Sequence, residues 1–286
     1  MLKTNEEFKM KKNVPYFILL PGFVLLVFFL ILPLVASIFP SFLPENGGLS
    51  NYVSFFQDEY NRGIFWRTIR VSSIVTIASL IFGIPTAYFI AGLNKKWRGI
   101  LMAMTLFPLL TNSVIRSFAW INILGKNGVL NSLLLKSGLI EQPLNLLYTE
   151  FAIIIGSVYL FLPTMVMTLV GVMENIEGEM LEAAETLGAS PFTAFIKIVL
   201  PLSIPGAIVG SILVFTGTLT AYTTPQLLGG NQKMLMSTFL YQRAATLGDW
   251  NGVAVIALIM IVTTLVVMKV LNFIAKQVDR REFHNA

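Results

Sequence analysis

There is no cysteine in this chain, which excludes a disulfide framework and a thiolate metal site. Histidine is almost absent too: His284, the only one, lies in a charged tail. A buried metal cluster and a histidine proton relay therefore lack their usual groups. Charge is scarce. Asp, Glu, Lys and Arg make up 12% of the 286 residues, against about 25% in typical soluble domains. A soluble globule of this length would need more polar groups to cover its surface. A nucleotide-binding loop is missing as well. Gly125-Lys126 is the only Gly-Lys pair, and Asn127 follows it where a phosphate loop needs Ser or Thr.

What the chain does have is apolar length. Hydrophobic residues make up 55%, and the mean hydropathy is +0.75. They come in blocks of about 20, long enough to cross a bilayer. Spans are expected near 16–39, 68–93, 99–123, 151–172, 202–222 and 253–275. This predicts an all-α integral membrane protein with six transmembrane helices. A segment 1–15 precedes the membrane domain 16–275, and a tail 276–286 follows it. The first span resembles a signal peptide with a cut after Ala36. Its apolar stretch is too long for one and carries Pro21 and Pro33, so it is expected to be retained.

The formal charge of +5 raises the possibility of nucleic acid. The basic residues flank apolar blocks and form no stripe, which argues against that partner. They do set an orientation. Lys3, Lys9, Lys11 and Lys12, then Lys95, Lys96 and Arg98, then Lys276, Arg280 and Arg281 fall on one side of six spans. The positive-inside rule makes that side the cytoplasm, with both termini there. Segments 41–67, 124–150 and 223–252 then face outward.

The loop 173–200 departs from the pattern, with Glu174, Glu177, Glu179, Glu182 and Glu185 against a single Lys197. Its pattern predicts two short helices. The first covers 179–187 and ends at Gly188, a C′ position that often needs positive φ. Ser190 can cap the second, Pro191 fits its first turn, and Pro201 is expected to open the fifth span. In the first helix Met180, Ala183, Ala184 and Leu187 share one face, with Glu182 and Glu185 opposite. Periodicity alone leaves two readings: packing on the protein's own helix ends, or docking on another surface.

The residues carry more. Glu182-Ala183-Ala184, three residues to Gly188, and nine more to Ile198-Val199-Leu200-Pro201 resemble the EAA signature of ABC importer permeases. The resemblance implies a type I ABC importer permease fold in the bacterial inner membrane, with 173–200 as a cytoplasmic coupling loop. It implies that Glu182 meets an ATPase by charge. Ala183, Ala184 and Leu187 would pack closely on it, and Gly188 would make the turn. ATP and Mg would be held by that ATPase dimer, leaving no cofactor in this chain. A second permease subunit and an extracytoplasmic solute-binding protein complete the implied partners.

Thr111 to Arg116 and Thr224 to Gly230 look like the spermidine/putrescine permease family. That likeness implies a polyamine as solute and a sister permease in a heterodimer. The same pattern serves amino-acid derivatives, opines and phosphonates, which stand as alternatives.

Arg116 is the only charge well inside a span, and such a residue marks a functional site by default. It either lines a pathway, braces a helix or snorkels outward. As a lining residue it would repel a polyamine. Asn112, Tyr159, Thr164, Thr220 and Tyr222 are the other pathway candidates; each could instead join two helices. No Asp or Glu falls within a predicted span. An ion-coupled secondary transporter, the competing class, would need such groups.

Overall fold

The computed structural model describes residues 19–43, 48–176 and 178–282. Segment 1–15, Glu177, His284 and the side chains of Glu179, Glu185, Lys276, Arg280 and Arg281 lie outside the described residues. Among the described residues there is no strand. The helices are α1 (Leu19–Phe42), α2 (Ser50–Gln57), α3 (Glu59–Ala91), α4 (Lys95–Leu110), α5 (Ser113–Leu124), α6 (Val129–Lys136), α7 (Glu150–Met173), α8 (Gly178–Thr186), α9 (Pro191–Leu202), α10 (Ile204–Thr220), α11 (Thr223–Gly229), α12 (Met236–Tyr241) and α13 (Trp250–Glu282). By length and composition α1, α3, α7 and α13 can each cross a membrane, and two bent pairs raise the total to as many as six.

The bends are where the structure departs from the expected spans. Residues 99–123 were expected to form one helix, but α4 and the α5–α6 run meet at 90°. Asn112 causes the break. Its Oδ1 accepts from the Val114 N–H at 2.9 Å and starts a new helix. Pro201 does not open the fifth span. It sits near the end of α9, and α10 starts after a 62° bend at Ser203, with Pro205 in its first turn. The second span begins nine residues before 68, because Asp58 caps α3 by accepting from the Asn61 N–H at 2.9 Å. At 33 residues α3 is about 50 Å long, more than a bilayer core requires.

The centre of the molecule is α3, α7 and α10, packed through Val71, Val75, Ile153, Met165, Leu169 and Val214. Close approach of α10 to α7 depends on Gly206 and Gly210, four residues apart on one face. A Cβ at Gly206 would lie 3.0 Å from the Thr168 carbonyl oxygen. Helix α13 closes the other side of α10, with Phe215, Leu219, Met236, Phe239, Ile256 and Ile259 in one cluster.

Ion pairs mark the two ends of this bundle. At one, Arg67 and Arg70 both meet Glu150, at 3.3 and 2.5 Å, and Arg67 also donates to the Met234 carbonyl. At the other, Arg98 meets Glu174 at 2.9 Å and donates to the Ala91 and Leu93 carbonyls. The second end carries α8.

Candidate functional site

Helix α8 is short, and its C-terminal turn is closed by backbone geometry. Gly188 has φ +84°, the left-handed conformation expected of it. The Leu187 N–H donates to Ala183 O at 3.1 Å and the Ala189 N–H to Ala184 O at 2.9 Å. Ser190 then caps α9, its Oγ accepting from the Thr193 N–H at 3.2 Å, with Pro191 in the first turn.

The apolar face of α8 points away from the bundle. Leu187 is 89% exposed, Met180 and Ala183 are exposed, and Ala184 is half-buried. Phe192 on α9 is uncovered as well, at 74% exposure. Of the two readings left open by periodicity, packing of this face on the protein's own helices does not occur among the described residues. Glu182 is exposed and is not ion-paired among the described residues. The residue that ties α8 down is Leu181, which packs on the central core. It borders a cavity of about 270 Å³ shared with Tyr88, Arg98, Met173, Glu174 and Ile176. Leu181 was not singled out from the sequence. Its position, 100° round from Met180, is the one signal that separates it from the docking face. Arg98 had been read only as an orientation charge, yet it joins the end of α3 to the end of α7 beside that cavity.

The pathway candidates do not form one cluster. Arg116 is buried in α5, and its Nη1 donates to Pro108 O at 2.6 Å and Thr111 O at 3.2 Å. Both carbonyls belong to the broken end of α4, where helix geometry leaves them without partners. Arg116 is thus the brace of the 90° bend. Asn112 is exposed, with its side chain committed to the α5 cap. Tyr159 on α7 is 38% exposed and stands edge-on to Trp120 of α5, with ring centroids 5.7 Å apart. Thr164 is half-buried in α7. Thr220 is exposed at the end of α10 and donates to Thr216 O at 2.9 Å. Tyr222 lies against Tyr241 of α12 with ring centroids 4.4 Å apart and planes tilted by 39°, a partner missed in the sequence because it lies nineteen residues on. Nearby, Ser237 donates to the Ala221 carbonyl at 2.5 Å.

The segment 224–230 packs between α5 and α7. The Tyr148 N–H donates to Leu228 O at 2.8 Å, and Gly156 of α7 leaves room for Leu228. Helix α11, which holds most of 224–230, packs on α5, with Leu228 in one cluster with Leu124 and Trp120.

Known proteins share both the sequence and the fold. The family model described as binding-protein-dependent transport system inner membrane component matches residues 79–284. The spermidine/putrescine transport system permease protein PotB of Haemophilus influenzae is 33% identical over 79% of this chain and 81% of its own length. PotB of Escherichia coli K12 is 34% identical, covering 79% of this chain and 84% of that one. A more distant relative is the molybdenum transport system permease protein ModB of Azotobacter vinelandii, 30% identical over 57% of this chain and 71% of its own. Among solved structures, a bacterial alginate ABC transporter in complex with an alginate pentasaccharide-bound periplasmic protein shares the fold. Its TM-score is 0.73 at 20% identity, over 94% of this chain and 96% of that one. The chain belongs to the family of binding-protein-dependent transport system inner membrane components, as a multi-pass permease subunit of an ABC importer.

Proposed function

We propose that this permease carries a polyamine, spermidine or putrescine, into the cytoplasm, driven by ATP and Mg bound on a separate ATPase. The observation that carries the solute class is the identity of 33–34% with two PotB proteins over 79% of the chain. The placement of Arg116 supports it. A guanidinium lining the pathway would repel a polyamine, whereas this one is buried and engaged with two carbonyls.

The coupling surface is the uncovered face of α8: Met180, Ala183, Ala184 and Leu187, with Glu182 and the Gly188 turn. An ATPase docks there from the cytoplasm. Motion of α8 reaches the membrane helices through Leu181 and through Arg98, which holds the ends of α3 and α7 together. Both termini lie on that cytoplasmic side. A sister permease completes the pathway as a heterodimer, and the exposed apolar residues of α4 and α5, including Phe107, Leu110, Ile115 and Phe118, are the surface available to it. In this reading Tyr159, Tyr222, Asn112 and Thr220 line the pathway, the aromatic rings as faces for ammonium groups.

The test is stimulation of ATP hydrolysis. The transporter, assembled with its ATPase, sister permease and binding protein in lipid, is screened against spermidine, putrescine, an amino acid and a phosphonate. Stimulation by the polyamines is expected. Stimulation by the phosphonate or the amino acid alone would overturn the solute assignment.

A further inference from the structure

At the end of the bundle away from α8, a cleft of about 420 Å³ opens where the α2–α3 corner faces the start of α13. Its polar lining includes Ser54, Asp58, Asn61, Arg243, Asp249 and Asn251. Asp58 and Asn61 precede the residues 79–284 that the family model matches. We propose that this cleft is a binding site for an alkylammonium group, held by Asp58 and Asn61.

The first observation is charge. Arg243 is committed to Asp249: its Nη1 meets Oδ2 at 2.6 Å, and its guanidinium lies 4.9 Å from the centre of the Phe239 ring. That pair is neutral, and Asp58 is left as the uncompensated charge of the lining. One Asp58 oxygen accepts from the Asn61 N–H, and its second carboxylate oxygen remains available. The Arg243 Nε has no hydrogen-bond partner, but it is sealed from solvent and cannot reach a ligand in the cleft. Asp249 stays ionised. Burial pushes its carboxyl up, but the Gly252 N–H and the Arg243 guanidinium outweigh that and hold it below the usual carboxylate range. Two carboxylates and one guanidinium in the lining leave a net negative charge, which favours a cation over an anion.

The second observation is Asn61. Its residue is only 9% exposed, and its side chain lines the cleft. No described residue makes a hydrogen bond to its amide group; its only recorded bond is the backbone N–H to Asp58. The residue is buried but its amide atoms are not sealed off, so they face the cleft, where a ligand or water can complete their hydrogen bonds. Beside a free carboxylate, its Oδ1 is positioned as the second acceptor for an N⁺–H donor. The apolar part of the lining, Phe55, Val255 and Ile256, offers a surface for the alkyl chain.

The absence of cysteine supplies the experiment. Ser54→Cys places a single thiol in this chain at the cleft wall, in the assembled transporter in lipid nanodiscs without nucleotide or binding protein. The rate of its alkylation by a maleimide is measured with and without 1,4-diaminobutane, n-butylamine or succinate. Both amines are expected to slow the reaction in a saturable way, and succinate is not. Asp58→Asn added to Ser54→Cys should weaken that protection about tenfold, the loss of one charge-assisted hydrogen bond. Asparagine is as good a helix cap as aspartate, so α3 keeps its start and the variant isolates the charge. Asn61→Leu should have a similar effect. No protection by either amine, equal protection by succinate, or undiminished protection in Asp58→Asn would overturn the proposal. Because uptake and ATPase activity are not read, this result is independent of whether polyamines are the transported solute.

Discussion

At the residue scale, two positions carry sharp consequences. Gly188 has φ +84°, and nothing lies within 4 Å of where a Cβ would stand. A side chain there would meet strain and not a clash, roughly 1–2 kcal/mol and more for a β-branched one. Gly188→Val should therefore reach the membrane at normal abundance while losing solute uptake and ATPase pull-down. Glu182→Gln should be milder, because an exposed ion pair contributes about 0–1 kcal/mol. Normal uptake by Gly188→Val would show that α8 is not the coupling element. Arg116 is the other position. Truncation to alanine leaves two carbonyls of the α4 end without their donor, at a cost of about 1–3 kcal/mol for each buried group. Arg116→Ala is expected to lower the melting temperature and the yield of assembled complex together with transport. Lysine offers a point charge without the planar fork and should restore little. A stable, assembled Arg116→Ala complex that fails only in transport would instead make this arginine a lining residue. Gly188 was legible because helix stop signals are local. The role of Arg116 was not, because its partners depend on a bend that no periodicity announces.

At the scale of elements, the apolar blocks were readable because a bilayer span needs about 20 consecutive apolar residues and little else in this sequence competes. What was hidden is where a block breaks. Asn112 and Ser203 interrupt two of the six; the polar step Thr111-Asn112-Ser113 is too short to divide an apolar block of span length, and the structure turns at the two positions by 90° and 62°. The packing of α10 on α7 was likewise invisible as a contact, although Gly206 and Gly210 stand at the small-xxx-small spacing in plain view. Their environment yields a prediction. Gly206→Val would press a branched side chain on Val172 and the Thr168 carbonyl, and overpacking of this kind costs about 1–3 kcal/mol. Gly171→Ala on α7 adds a methyl where nothing lies within 4 Å and serves as the control. In a thermal melt of the solubilised protein, the first should lower the transition and the second should not. Equal melts for both would mean that α10 does not depend on close approach to α7.

At the scale of the whole molecule, the fold sorts its loops onto two ends. Residues 48–67, 124–150 and 223–252 border the Glu150 end, and 92–98 with 174–176 and 178–202 border the Arg98 end. In the orientation we propose, the second end, with Lys95, Lys96 and Arg98, faces the cytoplasm. Ser137→Cys should react with an impermeant thiol reagent in cells whose outer membrane has been made permeable, and Lys96→Cys should not; the reverse pattern would invert the topology. The central claim is that α8 joins this permease to the ATPase that powers it. Its apolar face has no partner within the described residues, and Leu187, 89% exposed, stands at its C-terminal end. Cross-linking from a single thiol tests the claim most directly, since the chain offers no other. In an active transporter carrying Leu187→Cys, a short thiol-to-amine reagent should give a product that contains the ATPase. The same reagent at Ser137→Cys, on the opposite end, should give none. Absence of the ATPase from the Leu187→Cys product, in a complex that still transports, would contradict the account.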